Sequence, residues 1–352
     1  MRSPWSKIIL AQILSGKGRK EVLRGIREEI GDRQPSFLGK QEDISLNSCE
    51  MEHWRDLEAQ GYWYLSIFDS EYPELLRQIP DPPAILFGKG KMEALQGYCF
   101  TIVGTRKPTP YGMRMAHSFA EELSYRGANI VSGLAYGIDA QAHRGCCHAK
   151  GTTVAVMASG IDKIYPASHR TLAGEICRSG CLITEVLPGL SPKPYFFPER
   201  NRILSGLSWG TLVVEADIKS GTMHTVRFAH EQGREVYVIP GRIEDPQARG
   251  TDSLIQQGAQ VALCAEDIST TLYGWPDYTK DKIFGKKCVQ LLTNDEQDVY
   301  DNLSIRNMTM EMLLESLRWE TGRLVAAITL LEMKGMIEET SGGFYSATFP
   351  VT

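Results

Sequence analysis

The run Phe197-Pro198-Glu199-Arg200-Asn201-Arg202 sets two arginines on either side of an asparagine, at the opening of a helix-like stretch that continues to Ser208. Pro198 suits a first helical position, where a missing N–H costs nothing. A helix N-terminus carries positive potential, and arginine adds a rigid fork of donors matched to phosphate. The chemistry suggested is anion binding. Arginines also coat surfaces as weak ion pairs, and this stretch taken alone leaves the two accounts level.

Related loops recur along the chain. Gly104-Thr-Arg106-Lys-Pro-Thr-Pro-Tyr111-Gly112, Ser132-Gly133-Leu-Ala-Tyr-Gly-Ile-Asp139, Lys219-Ser220-Gly221-Thr222 and Pro240-Gly241-Arg242 each follow a short apolar run. Glycine beside Ser, Thr, Lys or Arg exposes backbone N–H groups and supplies hydroxyl donors and positive charge, as anion sites require. One such loop says little, since any strand-to-helix turn favours Gly and Ser. Several at successive strand ends point to a phosphate-bearing ligand. No GxGxxG follows the first strand and no GxxxxGK[ST] occurs, so neither dinucleotide nor P-loop chemistry is expected.

The elements that must position these loops are legible. Apolar runs near residues 100–103, 130–131, 154–157, 182–183, 212–214, 236–239 and 261–263 alternate with helical stretches near 111–125, 139–148, 168–178, 199–204 and 222–232. Short continuous β-branched runs alternating with helices predict an α/β fold, a doubly wound and mostly parallel sheet. Ligands of such sheets sit at the carboxyl ends of the strands.

Composition narrows the class. The chain has 352 residues, 42% hydrophobic and 23% charged, with a net charge of −5. That balance argues against a generic duplex-DNA binder with a broad basic face, while leaving room for a local basic pocket. No apolar run is long enough to span a bilayer, and the first residues are too polar for a secretory signal, so a cytoplasmic protein is expected. The eight cysteines contain no CxxC pair and there is no HExxH. Reduced thiols, no metal and no cofactor are expected.

Residues 1–66 read as a helical domain with stripes at Ile8, Ile9, Ile13, Leu14 and at Val22, Leu23, Ile26, Ile30. Gly16 and Gly18 between them hint at a helix-hairpin-helix, although a plain packing module is the preferred reading. The α/β domain spans 67–274, and a lysine-bearing tether covers 275–289. Residues 290–352 predict a winged helix: three short helices, then a hairpin turned at Ser341-Gly342-Gly343. Its third helix is mostly Leu, Val, Ala and Ile, with Arg323 and Lys334 the notable bases. That favours protein contact over DNA reading.

Taken in order, the Gly104–Gly112, Ser132–Asp139, Phe197–Ser208 and Ser220–Thr222 motifs and Gly250-Thr-Asp-Ser-Leu-Ile-Gln-Gln-Gly-Ala259 resemble the DprA/Smf family of bacterial DNA-processing proteins, over about residues 70–270. The resemblance implies an extended Rossmann-like fold that binds single-stranded DNA during transformation, protects it and loads the recombinase RecA, without known catalysis. Carried onto this chain, the DNA pocket comprises Gly104, Arg106, Tyr111, Gly112, Ser132, Gly133, Phe197, Arg200, Asn201, Arg202, Lys219, Ser220, Gly221 and Thr222. Tyr195, Phe196 and Phe197 are candidate stacking platforms. Relatives often carry a basic residue just before the third strand, where this chain has Thr152; Lys150 is the candidate substitute. The resemblance also implies a homodimer, placed at Leu254, Ile255 and Val261 and overlapping the RecA surface.

The competing resemblance is to nucleotide phosphoribohydrolases of the LOG, or lysine-decarboxylase-like, type. Their PGGxGTxxE motif needs a glutamate where this chain has Thr225, so the acid/base group is missing. His224 is the remaining candidate base.

Overall fold

Alternate residues of the apolar runs face opposite ways. Val103, Val131, Val154, Ile183, Val213 and Val238 enter one buried cluster, while Phe100, Ile102, Ile130, Leu212 and Tyr237 enter another. A sheet buried on both faces results, as continuous apolar strands require. The computed structural model describes residues 4–18, 21–22, 49–276, 293–305, 307–333, 336–340 and 343–347. The chain divides into two compact units, Met1–Asp277 and Tyr278–Thr352.

The first unit contains strands β1 (Tyr62–Ser66), β2 (Ile85–Gly90), β3 (Tyr98–Val103), β4 (Ala128–Ser132), β5 (Thr153–Val156), β6 (Cys181–Thr184), β7 (Gly210–Val213), β8 (Glu235–Val238) and β9 (Gln260–Val261). They form one sheet in the order β1-β2-β6-β5-β4-β3-β7-β8-β9. From β6 to β9 every pairing is parallel; β1 and β2 add an antiparallel edge. The mostly parallel α/β sheet expected from the sequence is therefore present. The strand order reverses direction between β3 and β7, so this is the switch point where loops splay apart and leave a crevice.

Helices α1 (Pro4–Leu14), α2 (Cys49–Ala59), α3 (Glu74–Arg77), α4 (Pro110–Tyr125), α5 (Ile138–His148), α6 (Arg170–Ser179), α7 (Phe196–Leu207), α8 (Thr222–Glu231), α9 (Arg249–Gln256) and α10 (Ala265–Thr271) cover the sheet. Ile203, Leu204 and Leu207 of α7, with Val226 of α8 and Leu254 of α9, pack on the valine-rich face. Ala116, Phe119 and Leu123 of α4 pack on the other with Ile138 and Ala142 of α5. Each fully buried aliphatic side chain contributes about 1.5–3 kcal/mol.

Two boundaries differ from expectation. The helical start does not end at residue 66, because Tyr62–Ser66 is the sheet's edge strand. Buried Ser6 of α1 donates to Asp69 at 2.5 Å, tying the two together. The second apolar stripe, beyond Val22, lies outside the described residues, as does the tether from residue 277 onward. Helix α7 also starts earlier than expected, at Phe196, so Pro198 is its third residue. Its missing N–H still falls in the first turn, where no intrahelical partner exists.

The second unit holds α11 (Asn294–Ile305), β10 (Met308–Thr309), α12 (Met310–Leu317), α13 (Thr321–Met333), β11 (Ile337–Thr340) and β12 (Phe344–Ala347). Its sheet order is β10-β12-β11, around a core of Val299, Leu313, Leu324, Ile328 and Leu331. Three helices with a terminal hairpin make the winged helix. Among the described residues, no helix is long and apolar enough to cross a membrane.

Candidate single-strand nucleic-acid cleft

An open cleft of about 480 Å³ lies at the switch point. Ala135 and Asp139, after β4, and exposed Asp217, after β7, form part of its wall, and three segments bring most of its polar groups. The loop after β3 brings Gly104, Arg106 and Lys107; the loop after β7 brings Lys219, Ser220, Gly221 and Thr222; and α7 brings Phe197, Arg200 and Asn201. Arg106, Lys107 and Lys219 are exposed. The Arg106 guanidinium lies 5.0 Å from the centroid of the Phe197 ring. A cation beside an aromatic ring in an open groove pairs phosphate attraction with a surface for bases to stack on.

Beneath these exposed groups lies a buried polar frame. Arg200 is 6% exposed. Its Nη1 donates to the Gly133 carbonyl at 2.6 Å and to the Val156 carbonyl, and its Nε to Asn201 Oδ1 at 3.1 Å. Asn201 in turn donates to the Gly221 carbonyl at 3.3 Å. One arginine and one asparagine therefore tie the ends of β4 and β5 and the start of α8 to α7. Burial pushes the Arg200 pKa down to about 10, with Arg106 acting in the same sense and Asp139 opposing. Buried Asp139 accepts from the Gly133 and Ala135 amides at 3.1 and 3.4 Å. Burial raises its pKa, and the Arg200 charge counters the rise. Gly133 is required by close approach, because a Cβ there would overlap the Arg200 guanidinium.

A second buried carboxylate holds the first loop. Glu215, 4% exposed, accepts from the Thr109 amide at 2.9 Å and from the Thr109 hydroxyl. Thr109 Oγ1 then accepts from the Gly112 amide at 3.1 Å and caps α4, with Pro110 in the first turn. A Cβ on Gly112 would strike the Glu215 carboxylate. In the loop before α8, the Thr222 amide donates to Ser220 Oγ at 3.2 Å, and the Met223 and His224 amides donate to carbonyls of the same turn. The anion-binding capacity of that loop thus rests on Lys219 and the hydroxyls more than on open amides.

The model for DNA recombination-mediator protein A matches residues 63–273, and a DprA winged-helix model matches 290–343. The chain belongs to the DprA/Smf family. It is 45% identical to the Bacillus subtilis DNA processing protein DprA over 59% of this chain and 71% of that one. It is 37% identical to Streptococcus pneumoniae DprA over 72% of this chain and 93% of that protein. The crystal structure of S. pneumoniae DprA superposes with a TM-score of 0.67, covering 75% of this chain and 96% of that one at 31% identity. Helicobacter pylori DprA, solved for its single-stranded DNA binding mode, superposes at 0.54 with 31% identity, over 59% and 93%.

Of the positions that DprA resemblance nominated, the cleft gathers Gly104, Arg106, Phe197, Arg200, Asn201, Lys219, Ser220, Gly221 and Thr222. Others lie elsewhere. Ser132 is buried and donates to the Ile102 carbonyl at 2.7 Å, fastening β4 to β3. Tyr111 and Gly112 sit on the first turn of α4, outside the cleft lining. Lys150 precedes β5, so it lies at the amino end of a parallel strand while the cleft opens at the carboxyl ends. Arg202 is 4% exposed and faces away from the cleft: it pairs with Glu185, and its Nη1 donates to the Asp81 carbonyl at 2.6 Å. Positions 200 and 202 are two apart on a helix, about 200° around its axis, so both cannot face one groove. Arg202→Leu is accordingly expected to lower stability by about 2 kcal/mol, read by urea unfolding, while single-strand affinity of the folded fraction stays at the wild-type value.

Sequence reasoning missed Lys107, Asp139 and Glu215 as site residues. The signal for Glu215 was a carboxylate ending an otherwise apolar strand run. At the proposed dimer surface, Leu254 is 1% exposed and belongs to the core, and half-buried Ile255 packs against that core. Val261, 40% exposed on the edge strand, stays available, next to Leu263 at 74%.

Proposed function

We propose that this chain binds single-stranded DNA without sequence preference, shields it, and delivers it to the recombinase RecA, acting as a cytoplasmic homodimer and not as an enzyme. The observation that carries the reading is the cleft itself. Three exposed cations line it against one exposed carboxylate, Asp217, and one of them, Arg106, lies over the Phe197 ring at the carboxyl edge of the sheet, within a chain of net negative charge. Such a groove suits a flexible strand, whose phosphates and bases are both within reach, better than a duplex. Gel shifts at fixed salt test it: single strands are expected to bind far more tightly than a duplex of equal length. Equal binding of both would refute the reading.

The winged helix supports a protein-contact role. Residues 293–347 carry ten acidic against four basic residues. Arg323, on the helix that would read DNA, is engaged by Asp295 at 2.6 and 2.8 Å. Removal of residues 278–352 is expected to leave single-strand affinity within a few-fold of wild type, as measured by fluorescence anisotropy. A collapse of binding would assign DNA contact to this unit.

The dimer is assigned to the β9 edge. An edge strand presents unpaired backbone groups, and here it also presents Val261 and Leu263. Val261→Glu would bring two like charges together across a two-fold axis and is expected to sediment as a monomer where wild type sediments as a dimer. A wild-type monomer at tens of micromolar, roughly the range that captures micromolar dimers, would remove the assignment.

The hydrolase alternative is the weaker reading, although His224, its remaining candidate base, does line the cleft. Thr225 lines the cleft and is 1% exposed, and no carboxylate replaces it on that helix turn. Absence of nucleoside-monophosphate hydrolysis is the expected assay result.

A further inference from the structure

Phe197 does not close the cleft. Arg106, Ala135 and Phe197 also line a second, much smaller depression of about 20 Å³, which continues over the carboxyl ends of β4 and β5 to Tyr136, Tyr165 and Pro166. None of the residues lining it is acidic. Tyr136 is 50% exposed and Tyr165 46% exposed. Both rings are nonetheless fixed. Tyr165 meets Phe197 edge-on, with centroids 5.8 Å apart and planes at 68°. Tyr136 meets buried His169 edge-on at 5.1 Å, and its hydroxyl accepts from Ser168 Oγ at 3.2 Å.

The loop that carries Tyr136 is pinned through its backbone. Asp139 takes the Gly133 and Ala135 amides, Arg200 takes the Gly133 carbonyl, and His169 Nδ1 lies 2.9 Å from the Leu134 carbonyl. Leu134, wholly buried, sits in the left-handed region at φ 56. A non-glycine residue holds that conformation only where its surroundings over-determine it. Ordering cost is thus already met before a ligand arrives, which favours binding.

We propose that Tyr136 and Tyr165 form a second stacking platform for unpaired nucleobases, so that a strand held in the cleft leaves it across the ends of β4 and β5. The proposal rests on the single-strand reading above. It follows from continuity: the two depressions share the Arg106–Phe197 pair, and beyond it the lining supplies rings without further cations. Phosphates are therefore held in the cleft and bases on the ledge. Every base offers a π face, so the ledge adds affinity without sequence preference.

The test uses the full chain with oligothymidylates of about 4 and about 16 nucleotides, the range of single-strand site sizes. Tyr136→Ala and Tyr165→Ala are each expected to weaken binding of the longer oligonucleotide about tenfold, as removal of base–ring stacking does, and to change the shorter one little. Phe at either position is expected to retain affinity. Leu, which keeps apolar bulk without a π face, is expected to behave as Ala. Tyr165→Trp is expected to show fluorescence quenching by the longer oligonucleotide only. Wild-type affinity of the Tyr136→Ala/Tyr165→Ala double variant for the longer strand, or an unquenched Trp, overturns the platform while leaving the cleft in place. If the wild-type chain binds neither oligonucleotide, the single-strand reading itself has failed, and the platform fails with it.

Discussion

Arg200→Ala is expected to unfold about 3 kcal/mol more easily than the wild-type chain, the cost of two carbonyls losing a charged donor and a buried carboxylate losing its cation. The effect has a pH signature. Asp139 already has its pKa raised by burial, and without Arg200 the rise is larger. A carboxyl with a folded pKa above its unfolded value contributes stability that is fully present below the unfolded pKa and is lost as pH rises through the folded one. The deficit of Arg200→Ala is therefore expected to grow with rising pH through the raised Asp139 pKa. Adding Asp139→Asn should remove most of that pH dependence. Urea titrations of the single and double variants at several pH values provide the measurement. A deficit that is flat with pH would mean that Asp139 is not charged beside Arg200. Single-strand affinity should also fall, because the ends of β4 and β5 lose their common tie and Asn201 loses a partner. The salt dependence of binding should stay near the wild-type slope, since this guanidinium is occupied by carbonyls.

Arg106→Ala combined with Lys219→Ala has the opposite signature. Both side chains are exposed at the cleft rim, so stability should change by less than about 0.5 kcal/mol, as for surface substitutions generally. Affinity for single strands is expected to fall roughly a hundredfold, at about 1.5 kcal/mol for each charge-assisted hydrogen bond. The log–log salt slope should flatten by about 0.7 for each phosphate no longer neutralised by the protein. The two variant sets thus separate a residue that shapes the cleft from residues that hold the strand. A double variant with wild-type slope would place the phosphates elsewhere.

How far these roles were legible in the sequence depends on the direction in which the information runs along the chain. Strand and helix positions were legible because burial on two faces writes continuous apolar runs, and an amphipathic face writes the helices between them. The cleft's location followed from the same pattern, since parallel strands put all their following loops on one edge. Gly104, Arg106 and the Lys219–Thr222 loop were found by that rule. The winged helix was legible from three short helices and a glycine-turned hairpin.

What the tertiary structure decided is which way each polar side chain faces and what it meets. Arg200 and Arg202 look equivalent in the sequence, yet helical rotation sends one beneath the cleft and the other to Glu185. Lys150 is near β5 along the chain but at its amino end, across the sheet from the cleft. Leu254 reads as surface beside an edge strand, and the packing of α9 puts it in the core. Tyr136 and Tyr165 lie 29 positions apart in sequence, and only the adjacency of β4 and β5 brings their loops to one ledge. Local pattern determines periodicity and therefore which elements form; side-chain direction and neighbours from distant segments depend on how those elements pack, which no window of the sequence contains.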